Sequence, residues 1–267
     1  MKKTLLMTLA ALGTMTATAY AGTVTVNGST TVLPAMQQVT ESFMAANPDV
    51  TVTISGSGSG NGIKALRDKM TDIAMSSRDL KSKEVQDFES HGMKTNRYTV
   101  AHDAIIPVVH NNNVVKGLTM AQLRDVFAGK IKNWKEVGGA DRPIVVVGRD
   151  SSSGTFESWQ ELVMGKTRVS PRAQLQSSSG GVVQAVASNE NAIGYIGIGY
   201  MDKQTKPLEI DGKVASMASA KDRSWPIARD LYLFTVTESA DAKKLLDYAL
   251  SAEGQKFVEK SGFVPVN

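Results

Sequence analysis

Apolar positions along the chain alternate between strand and helix periods. Thr23-Val24-Thr25-Val26 alternates and predicts a strand. After the turn Asn27 to Thr31, the residues Val32, Met36, Val39 and Phe43 recur at helical spacing, with Pro34 tolerated in the first turn. Asn47-Pro48-Asp49 ends that helix and Val50 to Ile54 predicts the next strand. The glycine-serine run Ser55 to Gly62 leads into a helix marked by Ile63, Leu66 and Met70. Asp72 to Met75 reads as a short buried strand, followed through Ser76-Ser77-Arg78 by a helix over Lys81 to Ser90.

The middle of the chain repeats this plan. Asp103 to Val109 predicts a strand, and Thr119 caps a helix carrying Leu123, Val126 and Phe127. The apolar strand Ile144 to Val147 runs into Gly148 to Thr155 and then a helix with Phe156, Trp159 and Leu162-Val163. Ser177 to Gly181 opens a helix with Val182, Val183 and Val186, and Ala192 to Ile196 is a further strand. Leu231 to Val236 predicts the last strand, before helices over Ala240 to Leu250 and Glu253 to Ser261. Strands alternating with helices imply an α/β chain with a mostly parallel sheet, arranged as two lobes without short-period repeats.

Four turns between strand and helix share one chemistry: Gly28-Ser29-Thr30-Thr31, Gly58 to Gly62, Ser151 to Thr155, and Ser177 to Gly181. A fifth, Ser76-Ser77-Arg78, adds a cation. In a parallel sheet such turns lie at the carboxyl edge, where open α/β folds bind ligands. First-turn N–H groups lack intrahelical partners, and the helix dipole is positive there. Helix capping accounts for one hydroxyl per turn, but these turns carry three or four Ser, Thr and Gly positions each. Arg78 and Arg149 border two of them, and a guanidinium fork suits a tetrahedral oxyanion. The set predicts an anion site that needs no metal.

Composition narrows the setting. Met1-Lys2-Lys3, the apolar stretch Leu5 to Ala11 and Ala19-Tyr20-Ala21 have the order of a cleaved export signal over residues 1–21. The chain has no cysteine, which excludes disulfides, thiolate zinc sites and a lipidated N-terminal Cys. The formal charge of +4 drops when Lys2 and Lys3 leave with the signal, so the nearly neutral mature chain gives no reason to expect nucleic acid or a membrane surface as partner. An exported protein without a lipid anchor is expected in the periplasm.

Enzyme motifs fit poorly. Gly56 to Asn61 ends in Asn where a dinucleotide fingerprint needs Gly, and Gly165-Lys166-Thr167 lacks the upstream glycine of a phosphate loop. There is no G-x-S-x-G elbow. His91, His102 and His110 have no metal-binding spacing, and the local sequence supplies no base for Ser153.

Taken in order, several segments match a known family: Gly28 to Thr31, Gly58 to Lys64, Ala74 to Arg78, Asp103 to Val109, Phe127 to Trp134, Gly148-Arg149 with Ser153-Gly154-Thr155, and Ala192 to Tyr195. Over nearly the whole mature chain the sequence resembles the shorter variety of periplasmic phosphate-binding proteins of phosphate ABC transporters. The resemblance implies a type II periplasmic binding fold, with two lobes, each a mixed sheet flanked by helices, closing by hinge motion on a cleft. It implies lobe one over residues 22–102 plus 227–267 and lobe two over 103–226. It places ligand contacts on Ser29, Thr30, Thr31, Ser59, Gly60, Ser77, Arg78, Arg149, Ser153, Gly154 and Thr155. The implied ligand is inorganic phosphate and the implied partners are membrane permease subunits, with no enzyme activity, cofactor or metal and a monomer expected.

Ser77 stands where longer members of that family carry an aspartate that receives the phosphate proton. Here a hydroxyl, a backbone carbonyl, or a carboxylate such as Asp150 or Glu157 must receive it, and Glu157 could instead hold Arg149. Receptors for sulfate, molybdate or arsenate therefore remain alternatives. An exported phosphatase and a surface protein that only retains the fold are the alternatives from other classes.

Overall fold

The computed structural model describes residues 22–267; the export signal expected over residues 1–21 lies outside the described residues. Strand β1 (Gly22–Gly28) passes through Ser29 to Thr31 into helix α1 (Leu33–Ala46), whose buried face is Met36, Val39, Thr40 and Phe43. Strand β2 (Val50–Gly56) feeds α2 (Ser59–Arg67), and β3 (Ile73–Ser76) leads to α3 (Ser82–Ser90). β1 lies between β2 and β3, parallel to both. The carboxyl ends of all three strands therefore face the same way. Helix α2 stops at Arg67, where Asp68 and the left-handed Lys69 (φ 56°) turn the chain. The sequence expectation that Met70 extends the apolar face does not hold, since Met70 is exposed.

Strand β4 (Asn96–His110) is longer than its apolar run. Its first half is partly open to solvent and reads Tyr98, Val100 between polar residues, whereas Ala104 to Val109 is buried throughout. Only the buried half carries the continuous apolar signal, so the sequence marks its start too late, at Asp103. From Asn96 to Ala104, β4 pairs antiparallel with β11 (Ala228–Thr235), which also pairs with β3. From Ile105 to Val109 it pairs with β8 (Ala192–Gly197).

The second half of the molecule continues from there. Short β5 (Gly117–Leu118) precedes α4 (Met120–Phe127), capped by Thr119, whose side chain accepts from the Gln122 N–H. Strand β6 (Val145–Arg149) runs parallel to β8 and to β7 (Gln174–Gln176). Helix α5 (Gly154–Trp159) follows β6 and widens into a π-turn over Gln160–Met164, and α6 (Ser179–Ala187) follows β7. Strand β9 (Thr205–Pro207) pairs with β4, and β10 (Glu209–Ile210) with β5. α7 (Met217–Lys221) precedes β11, and α8 (Ala240–Leu250) and α9 (Ala252–Lys260) return to pack on α1.

The resulting sheet order is β2-β1-β3-β11-β4-β8-β6-β7, a mixed sheet with its helices folded on both halves. In the second half Trp159 stacks on Tyr195 with centroids 4.3 Å apart, and Phe127 leans on both rings. These large rings fix α5 against β8, and so fix the turn that opens α5. Where the chain returns toward the first half, Trp225 is buried and donates its Nε1–H to the Ile105 carbonyl at 2.9 Å.

Candidate functional site

The turns after β1, β2 and β3 meet those after β6 and β7 in one buried cluster of hydroxyls. Thr31 Oγ1 lies 2.7 Å from Thr155 Oγ1 and 3.2 Å from Ser179 Oγ. Thr30 Oγ1 is 3.4 Å from Ser179 Oγ, Ser77 Oγ is 3.4 Å from Thr155 Oγ1, and Ser59 Oγ is 3.3 Å from Ser77 Oγ. All of these side chains are buried. Residues more than a hundred positions apart in sequence thus share one network, with contributions from both halves of the sheet.

Capping does not explain the cluster. Ser153 caps α5, accepting from the Phe156 N–H, and Ser178 caps α6, accepting from the Gly181 N–H. Ser29 accepts from the N–H groups of Thr31 and Val32 at the start of α1. These are the local roles expected of Ser at helix starts. Thr30, Thr31, Ser59, Ser77, Thr155 and Ser179 are the hydroxyls left over, and they are the ones that face each other. Of the expected ligand contacts, Ser29 and Ser153 therefore engage their side chains locally. Gly60 directs its N–H to the Ser152 carbonyl across the halves, at 2.9 Å. Gly154 permits close approach: a Cβ there would stand 2.4 Å from Ser59 Oγ and 2.8 Å from Ser77 Oγ.

The two expected arginine clamps part company. Arg149 is 2% exposed and aims its fork into the cluster, donating from Nη1 to Ser179 Oγ and from Nη2 to Thr30 Oγ1, both at 3.1 Å. The carbonyls of Gln176 and Ser177 take further N–H groups and orient it. Among the described residues no carboxylate lies within ion-pair distance of it. Burial pulls its pKa below the ordinary arginine value. Arg78, in contrast, is turned toward Glu84 and Glu157, and Lys81 also pairs with Glu157. Its guanidinium is neutralised outside the hydroxyl network, and Glu157 holds Arg78 rather than Arg149. Asp150, the other carboxylate considered as a proton acceptor, accepts from the N–H and hydroxyl of Ser152.

The sequence reading missed a second guanidinium. Arg229, on β11 and 6% exposed, donates to Thr155 Oγ1 at 3.0 Å and to the Ser77 carbonyl at 3.1 Å. Its Nε and Nη2 both reach Asp103 Oδ2, at 2.8 and 2.7 Å. Burial pushes the Asp103 carboxyl up, opposed by Arg229 and by the N–H of Ile198. Ser179 was also passed over, although its turn had been recognised. Tyr200 closes the rim by donating to the Thr30 carbonyl at 2.5 Å, and burial pushes its pKa up to about 12. Arg229 carries no local signal, because the strand Ala228 to Thr235 is otherwise an ordinary alternating one.

Chemically, the cluster is rich in hydrogen donors. Its hydroxyl oxygens already accept from Arg149, Arg229 and the N–H groups of Ser77 and Ser179. Each hydroxyl carries one proton, shared within the cluster in contacts such as Thr31–Thr155 and able to turn to a ligand that offers a stronger acceptor. A buried cation without a counter-ion is costly, so the arrangement calls for an anion with several acceptor oxygens. No group of His, Asp and Glu able to hold a metal occurs among the described residues. The histidines lie elsewhere, with His102 against Asp230, His91 against Asp87 and Ser90, and His110 accepting from the Asn112 N–H.

Comparison with known proteins gives a consistent picture. A PBP superfamily domain matches residues 13–253. The phosphate-binding protein PstS of Borreliella burgdorferi is 30% identical over 91% of this chain and 90% of its own. An X-ray structure from Clostridium perfringens, described as a candidate phosphate ABC transporter substrate-binding protein with bound phosphate, is 36% identical. It superposes with a TM-score of 0.87 over 92% of this chain and 100% of its own. An ABC-type phosphate transport receptor from Vibrio cholerae is 31% identical with a TM-score of 0.74, covering 90% of this chain and 99% of its own.

Proposed function

The chain belongs to the PBP superfamily and, within it, to the phosphate-binding receptors of ABC transporters, and from that premise we propose that it captures inorganic phosphate between its halves and delivers it to a membrane permease. The family is one of binding receptors, not enzymes. The observation that carries the proposal is Arg149, a buried guanidinium facing hydroxyls from both halves with no carboxylate to balance it. A phosphate oxyanion supplies the missing charge and the missing acceptors together.

In this reading Thr30, Thr31, Ser59, Ser77, Thr155 and Ser179 give hydroxyl protons to the ion. The first-turn N–H groups of α5 at Gly154 and Thr155 add the positive end of that helix. The lobes divide as 22–102 with 227–267, and 103–226. In support, β4 changes partner from β11 to β8 between Ala104 and Ile105, and the Ile105 N–H donates to the Ile227 carbonyl at 2.9 Å beside that point. Two adjacent crossings make a hinge about which the halves close. The signal-like order of residues 1–21 and the lack of cysteine support export to the periplasm without a lipid anchor, and the reading takes the receptor as a monomer. No helix among the described residues is long and apolar enough to cross a membrane.

Recognition of another tetrahedral oxyanion is a second reading, favoured by the engagement of Asp150 and Glu157 elsewhere. Calorimetric titration of the mature protein with phosphate and then sulfate, across about pH 5 to 8, tests both readings. Saturable phosphate binding at one site is expected. A folded protein that binds neither anion, or that turns over a chromogenic phosphomonoester, would contradict the receptor assignment.

A further inference from the structure

Arg229 and Asp103 sit opposite each other on the two strands that pass between the halves, as a register pair of β11 and β4. Asp103 is fully buried, and its second oxygen accepts from the Ile198 N–H at the end of β8, at 2.9 Å. The guanidinium is thereby fixed at three points: Asp103, the Ser77 carbonyl and Thr155 Oγ1. Thr155 makes the shortest hydroxyl contact in the network, with Thr31, and lies in the first turn of α5 in the opposite half.

A hydroxyl that accepts from a guanidinium has that lone pair engaged, and its single proton must go elsewhere. We infer that Arg229, held by Asp103, is a positioning residue that makes Thr155 a fixed hydrogen donor to the bound anion. The inference rests on the phosphate-receptor reading. Division of labour between the two arginines follows. Arg149 brings uncompensated charge, while Arg229 arrives already balanced by Asp103 and acts through the orientation and polarisation of Thr155. Because Arg229 belongs to β11 and Thr155 to α5, the contact exists only when the halves are together, so it also links the crossing strands to the occupied cleft.

The test is a double-mutant cycle on phosphate affinity in the mature protein, read by calorimetry with inorganic phosphate. Lysine keeps the charge beside Asp103 but lacks the fork needed to reach Ser77 and Thr155 as well. Arg229→Lys and Thr155→Val are each expected to weaken binding by about ten-fold. The combined variant should bind no more weakly than Thr155→Val alone, and Thr155→Ser should restore most of the affinity. Arg229→Lys also frees Thr155 to accept a proton, so its loss should shrink as pH falls and the ion becomes more protonated. A purely structural role would give the same fold-loss at each pH.

Losses that multiply to about a hundred-fold in the combined variant would overturn the inference. So would unchanged affinity in a folded Arg229→Lys protein. Should Arg229→Lys fail to fold, the apolar exchange Asp103→Leu with Arg229→Met, which removes both charges together, takes its place in the cycle. Parent affinity in that exchange would equally overturn the inference. Failure of the parent itself to bind phosphate would instead strike the receptor reading, so the two failures are distinguishable.

Discussion

Replacing Arg149 by methionine removes the buried charge while keeping most of the side-chain volume. Its fork donates to Thr30 and Ser179 within the cluster and to the carbonyls of Gln176 and Ser177 behind it. A bound anion loses a charged donor contributing about 1.5–3 kcal/mol. Coulomb's law gives a similar scale: roughly 3 kcal/mol per unit of anionic charge at about 5 Å with an effective dielectric of about 20. Taking 2–3 kcal/mol, phosphate affinity should fall by about 30- to 150-fold in Arg149→Met. Arg149→Lys should lie between, because it keeps the charge and loses the fork.

Calorimetry reads the affinity directly, and thermal unfolding provides a second assay. At a phosphate concentration one hundred times the parent Kd, the parent gains about 2.7 kcal/mol of stability and the variant less than about 1 kcal/mol. For a chain of this size those values correspond to a rise in Tm of about 5–10 °C in the parent and below about 4 °C in the variant. An Arg149→Met protein that binds phosphate as the parent does would refute the reasoning, because the unbalanced guanidinium would then not be part of the anion's environment.

Three further outcomes are expected. Gly154→Ala places a Cβ 2.4 Å from Ser59 Oγ, so it should hold the halves apart and cost at least about ten-fold in phosphate affinity with little change in the Tm of the free protein. Small-angle scattering should show a wider particle in the presence of phosphate, and wild-type compaction would count against the argument. Sulfate should displace phosphate within the roughly 10⁴-fold excess that a buried acceptor would impose, because the hydroxyls that would receive the phosphate proton can turn and donate to sulfate instead; complete exclusion beyond that ratio would reveal a fixed acceptor, such as a backbone carbonyl, in the site. Burial raises the Glu84 carboxyl, but the Arg78 fork and the Lys81 N–H outweigh it and hold the pKa below the ordinary range. A depressed folded-state pKa gives stability that is complete above the ordinary carboxylate value and lost as pH falls through the folded one. Glu84→Gln should therefore flatten the acid limb of the Tm–pH curve, and an unchanged limb would exclude that pair as a contributor.

The fold was legible because β1 and β2 alternate buried and open positions, β3 and β8 are buried throughout, and the helices bury one face. Val24, Val26, Ile73 and Ile193 therefore announce strands, while Met36, Val39 and Phe43 announce a helix. Elements too short to show a period, such as Gln174–Gln176 and Glu209–Ile210, carried no such signal. The turns were legible as a set, since their excess of hydroxyls over capping needs is a matter of counting along the chain. Which arginine faces inward was not. Arg78 and Arg149 look alike beside their turns, and they differ only because Glu84 and Glu157, from α3 and α5, converge on the first. Arg229 was invisible for the opposite reason, having no hydroxyl turn beside it in sequence and meeting Thr155 only through the crossing of β11 and β4.

That sorting of arginines explains why neither half suffices. Thr30, Thr31, Ser59 and Ser77 come from the first half, and Arg149, Thr155 and Ser179 from the second, so separating them lets water solvate both surfaces, whereas joining them without an ion leaves a desolvated cation with no counter-charge. An anion between them satisfies both surfaces at once, and differential stabilisation of the joined arrangement is what makes a ligand drive closure. Arg78 adds a contact of another kind, because its partner Glu157 lies across the halves and Lys81 reaches the same carboxylate. This partly solvated ionic contact lies outside the cleft and is complete without ligand, so it favours joined halves in either state. The dependence of closure on phosphate must then come from the buried donors, and weakening Glu157 should shift the free protein toward the open form without reducing the intrinsic preference of the closed cleft for its ion.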